Sequence, residues 1–196
     1  EGYPEDDVEA AHRRGRAQLE VYLTWRDEGR ISLDLLSALR PDQGVGEIRG
    51  GMGVAETRSI PLEQRVRRLA RTPPLRPGVL MESAGPIRSP VELGWWVGRG
   101  LVAVGMSWWA ASRYAGGNGT PEIGLTPVGR DLVAAMDDLG VTHDLSHLSQ
   151  KATDDLLALT DALVIASHSN CRALIDGENE RHLADETVRE IGRRDG

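Results

Sequence analysis

Along the second half of the chain, short apolar runs alternate with longer segments of helical periodicity. Gly78–Met81 stops at Glu82, Leu101–Met106 at Ser107, Val141–Leu145 at Ser146, and Ala162–Ala166 at Ser167. Runs this short, bounded by polar or small residues, read as strands. Between and after them, Pro90–Arg99, Thr126–Leu139, Ser149–Leu159 and Asp185–Arg193 carry the spacing of helices. Pro127 fits the first turn of its helix, Gly140 follows the last residue, and Ser149 fits an N-cap. In the first half, Val8, Ala11, Leu19, Tyr22, Leu23 and Trp25 form an interrupted apolar stripe, predicting a helix within Pro4–Gly29. The stretch from Ile31 to Pro77 is broken by clustered glycines and prolines and reads as irregular connection around one helical segment, Pro61–Arg71.

Strands alternating with helices imply parallel strands joined by crossovers, in a doubly wound sheet or a barrel. Glu82, Ser107-Trp108, Ser146-His147 and Ser167-His168 each lie just past a strand end. A barrel gathers such ends around one mouth and builds its site there. No glycine-rich phosphate loop follows the first strand, so a dinucleotide fold has no support. The fold expected is α/β, a (β/α)8 TIM-type barrel. A complete one takes ~250 residues, so residues 1–196 read as a single partial barrel domain with strands missing at both ends. Residues 1–77 supply helices and irregular connection, and 78–196 supply regular βα units. A partial barrel exposes sheet edges, so the chain is expected to pair with something, a homodimer included.

Composition narrows the function classes. A formal charge of −7 argues against nucleic-acid and anionic-membrane partners, and Arg65–Arg68 reads as a solvated helix face. No apolar stretch has the length of a membrane span. The compartment is not fixed by the sequence, with the cytoplasm slightly favoured. The single cysteine, Cys171, reads as a small buried residue, so a metal here would be held by histidines and carboxylates.

His147 and His168 end consecutive predicted strands, and Glu82 ends a strand two places earlier. Two histidines and a glutamate form a known catalytic zinc set that leaves a position open for water; a strand-end histidine can equally be a hydrogen-bonded structural residue. Asp144 either orients His147 or simply ends its strand. His143 reads as an interior or packing histidine, and His12 and His182 as solvent-facing. Trp95 and Trp96 read as core, and Trp108 as a wall of the pocket.

The local wording adds to this. Asp144-Leu145-Ser146-His147-Leu148-Ser149 and Ala166-Ser167-His168-Ser169-Asn170-Cys171-Arg172-Ala173-Leu174 closely resemble the two histidine motifs of the membrane (renal) dipeptidase family. Leu80-Met81-Glu82, the segment Gly124–Val133 and Arg181-His182-Leu183-Ala184-Asp185-Glu186 are similar to other stretches of that family in the same order. The resemblance covers residues 78–196. It implies a zinc-dependent metallo-dipeptidase that hydrolyses small dipeptides with a metal-activated hydroxide. It also implies two Zn2+ per site, Glu82 bridging them and assisting proton transfer, His147 and His168 completing one ion's ligands, and Arg181 gripping the substrate carboxylate.

The chain also departs from the pattern. No His-x-Asp pair for the first metal precedes Glu82, Trp108 stands where many members carry a histidine, and Glu82-Ser83-Ala84-Gly85 replaces the usual Glu-Gly-Ala-Asp. The competing expectations are therefore a one-metal hydrolase using Glu82, His147 and His168, and a non-catalytic barrel paralogue acting as a binding or structural protein.

Overall fold

The computed structural model describes residues 6–31, 77–175 and 180–196. The expected helix Pro61–Arg71 and the basic run inside it lie outside the described residues. In chain order the described elements are α1 (Val8–Asp27), β1 (Val79–Met81), α2 (Leu93–Val97), β2 (Leu101–Gly105), α3 (Pro127–Leu139), β3 (Thr142–Asp144), α4 (Gln150–Leu159), β4 (Val164–Ile165) and α5 (Asp185–Arg193). A 3-10 turn at Pro90–Glu92 leads into α2, so the expected Pro90–Arg99 helix is two short pieces.

The strands form one parallel sheet in the strict order β1-β2-β3-β4. A doubly wound sheet reverses strand order at a switch point. This one never does, as expected of an arc of a (β/α) barrel. The register sets Gly105 level with Asp144 and Asp144 level with Ile165, while Met81 pairs with Val104. The carboxyl ends of all four strands therefore finish at one edge, and the turns leaving them share one face of the molecule. The strands are shorter than the apolar runs because the chain leaves the ladder into polar turns, as where Ser146 N–H donates to the Asp144 carboxylate.

The helices obey their local signals. Asp7 caps α1 through Ala10 N–H, Thr126 caps α3 through Gly129 N–H, and Ser149 caps α4 through Ala152 N–H. Gly140 ends α3 in the left-handed conformation, φ 68°, a position glycine occupies without steric cost. The core lies between sheet and helices, with Leu93, Trp96, Val104, Leu132, Met136 and Leu156 nearly inaccessible. His143 belongs to it: the ring is fully buried, and its Nε2 donates to the Asp137 carboxylate of α3 at 2.8 Å.

The structure corrects three expectations. His12 is buried rather than solvent-facing, because α1 presents Ala11, Gly15, Leu19 and Leu23 to the core and His12 lies beside that stripe, its Nδ1 2.9 Å from the Pro86 carbonyl. His182 is half-buried, because a backbone bridge between Cys171 and Leu183 draws its segment against the Asn170 amide. Cys171 is free and only half-buried.

Candidate metal centre

Glu82 is the first residue past β1, and its backbone carbonyl lies against β2 at Gly105. A Cβ at position 105 would sit 2.9 Å from that carbonyl oxygen, so the absence of a side chain lets β1 and β2 close up where the glutamate emerges. His147 follows β3 by three residues and His168 follows β4 by the same offset from Ile165. Because Asp144 and Ile165 are paired, equal offsets bring the two rings to similar height. Ring centroids are 4.9 Å apart.

The three side chains converge. Glu82 Oε1 lies 3.1 Å from His147 Nε2 and 3.1 Å from His168 Nε2. Each residue offers a ligand atom within 4.8 Å of the other two, a spacing at which one ion can be shared. The far sides of both rings are engaged. His147 Nδ1 faces the Asn118 side-chain oxygen at 3.2 Å, and His168 Nδ1 faces Ser167 Oγ at 2.7 Å. An imidazole whose Nδ1–H donates outward has its Nε2 lone pair free to bind a metal, the usual way neighbours orient a ligating histidine.

The histidines are held differently. His147 is largely buried and adopts φ 71°, a left-handed conformation uncommon outside glycine. Its carbonyl accepts from Asn118 N–H at 2.9 Å, so one asparagine grips backbone and ring together. Burial holds the His147 imidazole below its usual pKa, the Arg181 guanidinium pushes the same way, and Glu82 opposes them. The neutral ring is the form that binds a cation. His168 is far more exposed and is fixed by hydrogen bonds.

Around this centre, Arg181 donates to the His168 carbonyl at 2.9 Å and to Ser169 Oγ at 3.2 Å, which sets its guanidinium beside the cluster. The Trp108 ring lies 5.9 Å from that of His147, and Trp108 together with Glu82 borders a cavity of about 540 Å³ between α1 and β1. Of the two expectations for Asp144, orienting His147 is not met, since the two make no hydrogen bond. Its carboxylate accepts from Ser146 N–H, Ser167 N–H and the Ser167 hydroxyl, so it serves the His168 side instead. The physical reason is the register, since Asp144 pairs with Ile165 and so faces the turn after β4.

Sequence reasoning missed Asn118 and Ser167. Ser167 is visible as the residue between a strand end and a ligand. Asn118 lies in the glycine-rich connection after β2, which a Gly117–Leu148 bridge ties to the His147 turn, and nothing in the local sequence pairs it with a residue 29 positions on.

The model of the membrane dipeptidase family, peptidase family M19, matches residues 78–196. Dipeptidase tcpJ of Claviceps purpurea is 50% identical over 52 residues, covering 26% of this chain and 12% of that protein. The crystal structure of a Rhodobacter sphaeroides metallopeptidase, liganded with a phosphinate mimic of the dipeptide L-Ala-D-Ala, superposes with a TM-score of 0.57 at 31% identity, over 68% of this chain and 40% of that one. The probable dipeptidase PvdM from Pseudomonas aeruginosa gives a TM-score of 0.70 at 24% identity, over 96% of this chain and 43% of that one, a likeness of fold. The chain thus spans less than half the length of each of these proteins.

Proposed function

The chain belongs to the membrane dipeptidase family, peptidase family M19, and from that premise we propose that it carries part of the active site of a zinc-dependent dipeptidase. The carrying observation is the convergence of Glu82, His147 and His168 on one point, each offering a ligand atom within 4.8 Å of the others. Two neutral imidazole nitrogens and one carboxylate oxygen are a donor set that suits zinc and leaves a coordination position open. When bound, zinc polarises a carbonyl and lowers the pKa of water to ~7.

The protein groups divide the remaining work. Glu82, half-exposed at the mouth, is placed to hold the proton that passes to the leaving amine. Arg181 offers a planar, bidentate donor for the substrate's terminal carboxylate. Trp108 walls the approach from the cavity side. The relatives' names and the phosphinate mimic of L-Ala-D-Ala support small dipeptides as the substrate class.

Metal analysis of the purified full-length protein, paired with a dipeptide hydrolysis panel, tests the proposal. His168→Ala is expected to abolish hydrolysis while leaving the fold largely intact, as circular dichroism would show. Near-normal turnover by that variant, or no bound zinc in the wild type, returns the chain to the reading of a binding protein.

A further inference from the structure

We infer that Ser167, backed by Asp144, is a positioning residue that fixes the tautomer of His168 and so sets its strength as a metal ligand; this rests on reading Glu82, His147 and His168 as a metal site. The available protons decide the tautomer. Asp144 is 2% exposed, and three donors converge on it: Ser146 N–H at 3.0 Å, Ser167 N–H at 3.1 Å and Ser167 Oγ–H at 2.5 Å. A carboxylate has only lone pairs to offer, and a serine hydroxyl has one proton. That proton is committed to Asp144, so towards His168 Nδ1, 2.7 Å away, Ser167 Oγ presents lone pairs alone. Nδ1 must therefore carry the proton. Nε2 then faces Glu82 Oε1 at 3.1 Å with lone pairs on both atoms, a juxtaposition that a shared cation would relieve.

The relay acts where packing does not. His147 is held by burial and by its gripped backbone, whereas the His168 side chain is 39% exposed against 10% for His147. Without outside contacts an exposed imidazole turns and exchanges tautomers. Ser167 supplies such a contact to the ring, while Ser146 fixes the backbone beneath it, its Oγ accepting from the His168 amide at 3.2 Å. The Ser167 hydroxyl is itself locked, because its own backbone N–H binds the same carboxylate.

The test measures zinc affinity of the full-length protein by competition with a chelator, alongside unfolding in excess chelator to report folding without metal. Ser167→Ala is expected to weaken zinc binding about 10- to 100-fold, while Ser167→Thr, which keeps the hydroxyl, binds as wild type. The loss from Ser167→Ala combined with Asp144→Asn is expected to be no greater than the larger single loss, because both act through one chain of bonds. In cobalt-substituted protein, the His168 imidazole N–H resonance is expected to exchange with solvent faster in Ser167→Ala and not in Ser167→Thr, a signature that a packing role would not move. If Ser167→Ala does not fold, Ser167→Cys takes its place, with similar size and a poor acceptor. Wild-type affinity in that variant overturns the relay and leaves the metal site standing. A wild type without zinc overturns both.

Discussion

At the scale of single residues, His147 carries the clearest conflict between local preference and placement. A left-handed residue bearing a Cβ costs roughly 1–2 kcal/mol, and His147 at φ 71° bears that cost where it offers a ligand atom. In metal-free protein, His147→Gly is expected to be about 1 kcal/mol more stable than His147→Ala, because only glycine relieves the strain. Chemical denaturation in chelator checks this. His143 gives a second residue-level expectation. Burial holds its pKa below the ordinary value, only partly offset by Asp137. With the folded value lower, the unfolded chain binds more protons, so stability is intact above the unfolded pKa of ~6.5 and falls as the pH drops below it. Replacing His143 by Leu is expected to flatten that decline, read as the difference between wild-type and variant denaturation curves at pH 7 and pH 5 in chelator. The convergence of Glu82, His147 and His168 was legible in the sequence because each lies just past a strand end. Asn118 was not, because a hydrogen bond between loops leaves no periodicity, and Ser167 was visible only as the neighbour of His168 and not by its part in holding the ring.

At the scale of elements, the geometry rests on strand ends and on how closely the strands approach. Gly105 lies between Glu82 and Asp144 in the sheet, 2.9 Å from the Glu82 carbonyl for any added Cβ. Gly105→Ala is expected to push the end of β1 outward and weaken metal binding about tenfold, with far less effect on helix content; isothermal titration with zinc measures it. Most elements were legible from period and punctuation: Pro127, Thr126 and Gly140 delimit α3 by backbone chemistry alone, and Ser149 does the same for the start of α4. Strand lengths were overestimated because an apolar run continues past the last paired residue when its side chains still pack, as Leu145 does while 1% exposed. His12 was misjudged for a related reason. A histidine followed by Arg13 and Arg14 reads as a surface residue, whereas the helix rotates it to the edge of the buried stripe, where a backbone carbonyl meets it.

At the scale of the whole molecule, four sequential parallel strands give one wall of a barrel, and the polar chemistry lies along its carboxyl edge. Among the described residues, no helix is long and apolar enough to cross a membrane. On the proposed reading of Glu82, His147 and His168, metal binding is a term in global stability. Zinc at a hundred times its dissociation constant is expected to add about 2.7 kcal/mol to unfolding, raising the melting temperature, and excess chelator should reverse the shift; differential scanning calorimetry with and without zinc measures both. Among the described residues, Glu82, His147 and His168 come from one stretch of consecutive βα units. As the chain leaves the ribosome, the last of them emerges only two strands after β2. On the proposed reading, a cation would find all three side chains together as soon as β4 has joined the arc.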